Sequence, residues 1–330
     1  GPSLGHQIIS SQLDADRLDY LLRDAHFTGV AYGRYDLEWL LHSLQVRWVG
    51  VGGREAPRLC VETGKGPAAL ENYLHARDHM YRQVYDHKTV RGFEALLIHL
   101  FHTLERFRRE FGTFPPGTPP PLARFLESLS RAGGAEGDDP GAVERYVALD
   151  DAVLEYAFAQ WAAQAAQAAQ AGEAAGRLSP WEALLAHQCR LLVHRKPVYR
   201  RMSWRTAAGG VSELIPDAAT VGAVAQWLDE EGERRIPAAL TGGRRELPLA
   251  LLVRMDEVEH APYHGLQYDA QAGNPIHVVD AGGRVARAEE VSDPIKLMSA
   301  SPRRTAWLFV DPAAWEAVRG LMAGRFDVAP

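Results

Sequence analysis

The chain has 330 residues, enough for two domains with sizeable cores. It is 46% hydrophobic and 24% charged, as globular proteins are, and its net charge is −6 at pH 7. This acidic balance argues against a general nucleic-acid coat, and no apolar run approaches the roughly 20 residues that span a bilayer. The two cysteines, Cys60 and Cys189, predict no disulfide framework, so we expect buried thiols and a cytoplasmic protein.

The first 63 residues predict two helices followed by a hairpin. Ser11 is placed to cap a helix that Gly29 ends, and Asp36 opens the next helix. Apolar residues then alternate over 46–63 on both sides of a Gly-Gly pair, which is typical of a β-hairpin.

A long helix and a proline-rich break follow the hairpin. Pro67 is suited to the first turn of a helix, and the pattern predicts that this helix runs over 67–110 without interruption. Prolines in 113–121 cannot continue it, and further helices are predicted over 141–171 and 180–196.

After about residue 204 the pattern changes to a mixture of strands and helices. We expect a helix over 221–236, strands over 249–258, 275–280, 284–289 and 305–310, and a closing helix over 312–325. The predicted fold class is therefore mainly α, with a helical domain over 1–200 that contains the hairpin and a smaller α+β domain over 201–330.

The segment LDADRLDYLLRD carries the first candidate site. Since a helix turns by about 100° per residue, Asp16, Tyr20 and Asp24 share one face opposite the leucines, with Arg17 at its edge. A solvated face with local ion pairs is the simpler interpretation. A large aromatic ring between two carboxylates, among aspartates that disfavour helix, weakens that interpretation.

The segment RDHMYRQVYDHK carries the second candidate site. Arg77, Tyr81, Tyr85 and Lys88 share one helix face about 16 Å long. Cations neutralise phosphate charge, and a tyrosine ring packs on a sugar or base. The alternative is an amphipathic surface whose long side chains reach into solvent.

Both segments resemble HD-domain phosphohydrolases of the deoxynucleotide triphosphohydrolase type. The stretch GHQIISSQLDADRLDYLLRDAHFTGV is similar to the last metal-ligand segment of that family, and YLHARDHMYRQVYDHKTVRGFEALL to its nucleotide-pocket helix. The likeness covers about 1–110 and is looser to about 200. It is strongest with bacterial members and more distant with the animal sterile-alpha-motif HD triphosphohydrolase. The resemblance implies that the helical domain is a partial HD-type domain.

The resemblance also implies a role for each residue of the first segment. Asp16 matches a metal ligand, and Arg17 matches a basic residue that touches phosphates. Tyr20 and Asp24 match the residues that line the sugar end of the pocket.

In the second segment the matched roles concern the nucleotide. Arg77 and Lys88 would contact it, Tyr85 would pack on the sugar, and His87 would lie beside it.

The rest of an HD metal site is not found in this sequence. Such a site also needs a His and a His-Asp pair, and the chain contains no His-Asp dipeptide. One carboxylate does not hold a divalent metal, so we expect Mn, Mg, Fe or Zn only in a complete protein that includes segments upstream of residue 3. No catalytic residue is assigned within the chain.

Other histidines and tryptophans suggest no site. His75 and His79 fall on the helix side opposite Arg77, and His260 and His264 are predicted to lie in a surface loop. The tryptophans expected to be core or helix-packing residues are Trp39, Trp48, Trp161 and Trp181.

The sequence leaves two functions open. The first is a metal-dependent phosphohydrolase acting on nucleotides, similar to dNTP triphosphohydrolases, with this chain inactive alone. The second is a non-catalytic module that binds a nucleotide or another phosphorylated small molecule as a sensor or assembly surface. A His and a His-Asp pair in the upstream coding sequence would favour the enzyme. We also expect a homo-oligomer, because residues 96–104 make the long helix apolar on more than one side.

Overall fold

A computed structural model describes residues 3–51, 54–131, 141–170, 178–195, 199–237, 246–263, 275–300 and 303–329. These residues form a helix-rich protein with several small sheets. The α-helices are α1 (Leu4–Ile9), α2 (Ala15–Thr28), α3 (Leu37–His42), α4 (Gly66–Met80), α5 (Lys88–Phe111), α6 (Pro120–Arg131), α7 (Ala142–Val147), α8 (Asp151–Gln170), α9 (Pro180–His194), α10 (Ala218–Glu231), α11 (Ala288–Val291), α12 (Asp293–Ala300) and α13 (Trp315–Ala323). None of the helices in these ranges is both long enough and apolar enough to cross a membrane.

The strands are short apart from one hairpin and two longer strands near the C-terminus. They are β1 (Leu44–Val51), β2 (Arg54–Glu62), β3 (Arg200–Arg201), β4 (Trp204–Arg205), β5 (Val211–Ser212), β6 (Arg235–Pro237), β7 (Glu246–Pro248), β8 (Val253–His260), β9 (His277–Val279), β10 (Val285–Arg287) and β11 (Arg303–Val310).

The chain divides into two compact units, and neither is continuous in sequence. The first contains 1–87 and 258–305, and the second contains 88–257 and 306–330. The two compact units therefore have different boundaries from the predicted domains. The domains 1–200 and 201–330 stay a prediction.

In the first unit, α2 is defined by its two ends. The Asp14 carboxylate accepts a hydrogen bond from the Arg17 backbone N–H at 2.7 Å and so caps the helix. The prediction that Ser11 is the cap was wrong, because Ser11 lies one turn too early and donates its own N–H to Asp14 at 3.0 Å. Gly29 ends the helix with φ 74°, a left-handed conformation that favours glycine.

Two buried tyrosines fix α2 against its neighbours. The Tyr35 hydroxyl donates to the Leu18 carbonyl at 2.6 Å, and the Tyr73 hydroxyl of α4 donates to the Gln12 carbonyl at 2.7 Å. Their rings meet edge to face at 5.2 Å. Together they hold the start of α2 beside α4, which is where the candidate site lies.

The predicted hairpin is confirmed and belongs to a larger sheet. Strand β1 pairs antiparallel with β2, β2 pairs parallel with β9, and β9 pairs antiparallel with β10 in the order β1-β2-β9-β10. Gly283, with φ 82°, lies in the turn between β9 and β10. The Gly-Gly pair between β1 and β2 lies outside the described residues.

The predicted uninterrupted helix over 67–110 was wrong. Helix α4 ends at Met80, a π-helical turn covers Tyr81–Tyr85, and α5 begins at Lys88. The Asp86 backbone N–H donates to the Tyr81 carbonyl at 2.7 Å, five residues back, which is the bond that defines a π-turn. Helical periodicity alone does not reveal one extra residue in a turn.

The second unit buries most of the apolar stripe that suggested self-association. Leu96, Leu100 and Leu104 of α5 are at most 1% exposed, and Leu100 and Leu104 pack against α8 and α9. Because these leucines are buried within the unit, they give no reason to expect self-association. The homo-oligomer stays a prediction. The predicted helix over 221–236 also ends earlier, at Glu231, because Ile236 belongs to β6.

The predicted core residues are partly confirmed. Cys60, Cys189, Trp161 and Trp181 are buried. Burial raises the pKa of the Cys60 thiol to about 11, as expected of an unreactive thiol.

Two tryptophans were predicted wrongly. Trp39 and Trp48 are 42% and 68% exposed, and Lys65 lies over the Trp39 ring at 4.9 Å. Apolar alternation in a hairpin does not tell which face is covered.

Candidate functional site

Three tyrosines and a histidine form an aromatic cluster in the first unit. The cluster consists of Tyr20 from α2, Tyr81 and Tyr85 from the π-turn, and His260 from the end of β8. Tyr85 meets Tyr81 edge to face at 5.1 Å and Tyr20 at 5.9 Å, while His260 stacks on Tyr81 at 4.3 Å and 17°. All four side chains are only partly buried, so the cluster is reachable from solvent.

Hydrogen bonding ties this cluster to a carboxylate. The Tyr85 hydroxyl donates to Asp24 Oδ2 at 2.7 Å, which joins the π-turn to the last turns of α2. Burial, and then this bond, raise the pKa of the Tyr85 phenol. Burial, and then the Tyr81 hydroxyl, raise the pKa of the Tyr20 phenol. The phenols therefore stay neutral hydrogen-bonding groups at physiological pH.

Arg77 of α4 is a buried cation beside the cluster. It is 4% exposed, and its guanidinium lies 4.9 Å from the centre of the Tyr81 ring. Its Nη1 donates to the carbonyls of Pro262 at 2.7 Å and Ala261 at 3.4 Å, whereas its buried Nε has no hydrogen-bond partner in the part of the chain that the structure describes. Among the described residues no acidic side chain pairs with it.

Arg17 is a second cation whose charge acts on tyrosines of this region. The positive charges of Arg77 and Arg17 both lower the pKa of Tyr20 and Tyr73, although burial outweighs them. Arg17 is partly exposed and pairs with Asp14 at 3.2 Å. A buried charge without a counter-ion is unfavourable, so this corner of the molecule is suited to an anion.

Asp78 completes the surroundings of the cluster. Its side chain is 8% exposed, one oxygen pairs with Arg82 at 2.5 Å, and the other lies 3.7 Å from His260 Nε2. Its charge is therefore directed to Arg82 and His260.

The remaining predicted site residues are Asp16, His87 and Lys88, and none of them is fully buried. Asp16 is exposed in the first turn of α2. His87 follows the π-turn and is partly buried. Lys88 is the exposed first residue of α5, in the second unit, 4.0 Å from Glu213. The structure thus brings Tyr20 close to its predicted companions in the first unit, and the binding roles stay predictions.

Sequence reasoning missed how His260 and Asp78 take part. His260 was predicted to lie in a surface loop with His264. That was wrong for His260, because it ends β8 and stacks on Tyr81, while His264 lies outside the described residues. Helical periodicity places Tyr81 on the same helix face as Arg77, and in the structure the Arg77 guanidinium lies over the Tyr81 ring. No local signal in the sequence could have paired residue 260 with residue 81.

The described residues do not complete a metal centre. Among them, no group of three or more His, Cys, Asp or Glu side chains is arranged so that it could hold a metal ion. Asp16, the ligand implied by the resemblance, has no such companions in these ranges. The described residues therefore do not fit a divalent metal by themselves.

An apolar groove of about 770 Å³ lies on the other side of α2. Its walls include Leu18, Leu22, Leu41 and Leu59, and Phe27 at its edge is 81% exposed. Such a surface does not suit a phosphate, so the aromatic cluster is the better candidate site.

No protein-family model matches the chain. The uncharacterized protein YwfO of Bacillus subtilis is 30% identical over 189 residues, which cover 57% of this chain and 35% of YwfO. The uncharacterized protein MJ1154 of Methanocaldococcus jannaschii is 45% identical over 95 residues, which cover 29% of this chain and 20% of that protein. The chain thus spans about a third or less of these curated relatives.

A solved structure shares the fold. It is the crystal structure of a phosphohydrolase from Bacteroides thetaiotaomicron, with a TM-score of 0.59 and 23% identity, and the match covers 93% of this chain and 64% of that chain. The chain therefore has the fold of part of a phosphohydrolase.

Proposed function

We propose that this chain is the nucleotide-binding part of a phosphohydrolase, and that deoxynucleoside triphosphates are its substrate class. The observation that carries the proposal is Arg77, a buried cation beside the aromatic cluster that has no acidic partner among the described residues. A nucleotide combines a polyanion with flat and apolar surfaces, so a desolvated cation next to half-buried rings matches both parts. The fold shared with a phosphohydrolase supports the same assignment.

The chain's own residues divide the binding task. Arg77 and Arg17 offset the phosphate charge, and a guanidinium presents paired N–H groups that suit phosphate oxygens. Tyr20 and Tyr85 offer ring surface to the sugar, and the Asp24 carboxylate accepts a hydrogen bond from a sugar hydroxyl. Phosphate binding at Arg77 would use its Nε, a donor that has no hydrogen-bond partner among the described residues.

Roles beyond this centre rest on the resemblance alone. Lys88 and His87 are proposed to contact the nucleotide as well, and Asp16 to be a metal ligand in the complete protein. Since the described residues do not fit a metal by themselves, binding rather than turnover is the property to test in this chain.

Replacing Arg77 with Met tests the proposal. We expect Arg77→Met to weaken dGTP binding, measured by calorimetry, at least about 10-fold, because a charge-assisted contact to phosphate is lost. The melting temperature should change by only a few degrees, because removal of a buried charge without an acidic partner opposes the loss of the hydrogen bonds to the carbonyls of Ala261 and Pro262. Arg319→Met is the matched control, because Arg319 is partly exposed on α13 and pairs with Glu316.

Deoxyguanosine, which lacks phosphates, separates the two parts of the ligand. It should bind more weakly than dGTP to the wild type, and almost equally to the wild type and Arg77→Met. Equal dGTP affinity for wild type and variant would show that Arg77 does not hold the phosphates.

The same samples distinguish the enzyme from a nucleotide sensor. Both hypotheses expect binding, and we expect no phosphate or triphosphate release from dGTP by this chain with Mn²⁺ or Mg²⁺. A His and a His-Asp pair in the upstream coding sequence favours the enzyme, and robust turnover by the chain itself would disprove the incomplete metal site.

A further inference from the structure

The end of β8 is fastened to α4 and the π-turn by contacts of three kinds. We name residues His260–Pro262 the strap. Arg77 donates to the strap carbonyls of Ala261 and Pro262, at 3.4 and 2.7 Å, His260 stacks on Tyr81, and His260 Nε2 lies 3.7 Å from Asp78. The strap and its partners are about 180 residues apart in sequence, so the contacts are made only in the folded protein.

The strap is also anchored at its far side. Tyr263, the next residue, is fully buried, donates its hydroxyl to Glu289 at 2.6 Å and accepts the Ile276 N–H at 3.2 Å. Burial and the Glu289 bond raise the pKa of this phenol, so it remains a donor. His260 is therefore held between two groups: the buried Tyr263 of its own segment and the Asp78 carboxylate.

Tyr81 is contacted on its ring by His260 and by Arg77. The ring is partly exposed, and it stands in a π-turn, an element that is frequent at functional sites. His260 covers one surface of the ring at stacking distance, and Arg77 approaches the ring as well. The other members of the cluster, Tyr20 and Tyr85, then contact Tyr81.

We propose that His260 is a positioning residue of the nucleotide site, acting through Tyr81. The strap thereby lets the C-terminal part of the chain set the shape of a pocket whose other residues come from the N-terminal part. This inference rests on the proposed function. It goes beyond the resemblance, which assigned no role to the β8 end.

Two substitutions of His260 separate the effect of ring stacking on nucleotide binding from the other effects of losing the imidazole. His260→Ala removes the ring and should weaken dGTP binding about 5-fold, the scale expected for an aromatic pair. His260→Phe keeps a flat ring on Tyr81 and should bind within about 2-fold of the wild type. His75→Ala is the control, because His75 is exposed on the opposite side of α4.

A double-mutant cycle tests the route through Tyr81. If His260 acts through that ring, His260→Ala combined with Tyr81→Ala should bind no more weakly than Tyr81→Ala alone. Additive losses would contradict the proposal. Equal losses in His260→Ala and His260→Phe would also contradict it, and this comparison still decides if one alanine variant does not fold.

Nuclear magnetic resonance of ¹³C-labelled tyrosine provides a readout without nucleotide. The Tyr81 ring resonances should shift in His260→Ala and remain near their wild-type positions in His260→Phe, since a stacked ring shifts its neighbour's resonances. An unchanged Tyr81 signal in His260→Ala would overturn the positioning role. Absence of dGTP binding by the wild type, with the shift present, would instead refute the proposed function alone.

Discussion

The two units each contain a cluster of tyrosine, histidine and charged side chains, and the two clusters differ in exposure and in charge balance. In the second unit, His99 Nδ1 is 2.7 Å from the Tyr199 hydroxyl, and His187 Nε2 is 3.0 Å from Asp311 Oδ1. His99 and Asp311 are at most 1% exposed. We name these four residues the buried network.

Exposure and charge separate a structural cluster from a candidate site. In the buried network each ring nitrogen or hydroxyl named above meets a protein partner. Asp311 Oδ1 also accepts the Ala313 N–H at 2.8 Å, whereas Asp311 Oδ2 is buried and has no hydrogen-bond partner among the described residues. In the aromatic cluster the rings are only partly buried, and the neighbouring Arg77 has no acidic partner among the described residues. A ligand can reach the rings of the aromatic cluster but not the buried network, which is why we propose a binding role for the first and a structural role for the second.

The largest expected effect is on stability in the buried network. Asp311→Ala should lower the free energy of unfolding by about 3 kcal/mol, because it removes the acceptor for His187 and for the Ala313 N–H in a buried place. Urea denaturation measures the loss, and Asp327→Ala, at an exposed carboxylate, is the control. The affinity of the folded variant for dGTP should not change, and a loss of affinity without a loss of stability would reverse our assignment.

Acid should weaken the same network. Burial, followed by the charges of Arg254 and His102, lowers the pKa of the His99 imidazole from 6.5 to about 3. Between these pH values the unfolded chain binds a proton at residue 99 that the folded protein does not bind. Stability should therefore fall as the pH drops below 6.5, by up to about 1.4 kcal/mol per pH unit, until about pH 3.

Unfolding curves at pH 7, 6 and 5 measure this effect. His99→Gln, which removes the titrating group, should show a shallower decline than the wild type, although it is less stable at pH 7. His75→Gln should keep the wild-type slope, because His75 is exposed. Parallel declines in wild type and His99→Gln would mean that other groups dominate the acid response.

Local features of the chain could be predicted from sequence because they depend on neighbouring residues. Gly29 ends α2 because a left-handed residue is needed there, and Asp36 caps α3 by accepting the Trp39 N–H at 2.9 Å. The same periodicity put Tyr20, Tyr81 and Tyr85 on polar helix faces, and the structure brings these faces together.

Features that depend on distant residues could not be predicted. The contact between His260 and Tyr81, and the carbonyl partner of Arg77 at Pro262, join segments about 180 residues apart. The parallel pairing of β2 with β9 likewise links the N-terminal hairpin to a strand more than 200 residues later. The spacing of residues within one segment carries no information about such pairs. The sequence therefore indicated the residue types of the site but not the contacts of the strap.

The smallest expected effect comes from replacing a tyrosine by phenylalanine, a substitution that can be made in both clusters. Tyr85→Phe removes the hydroxyl that donates to Asp24, and we expect a stability loss of about 1 kcal/mol or less, because the partly exposed carboxylate regains water. Tyr199→Phe should cost about 2 kcal/mol, since the His99 nitrogen then has no partner in a place that water does not reach. Urea unfolding of the two variants side by side measures the difference. The ring of Tyr85 remains in Tyr85→Phe, so dGTP affinity should change less than about 3-fold, as expected for one weak hydrogen bond. Equal stability losses in the two variants would show that water reaches both clusters equally, and the distinction between a structural network and a ligand site would then fail.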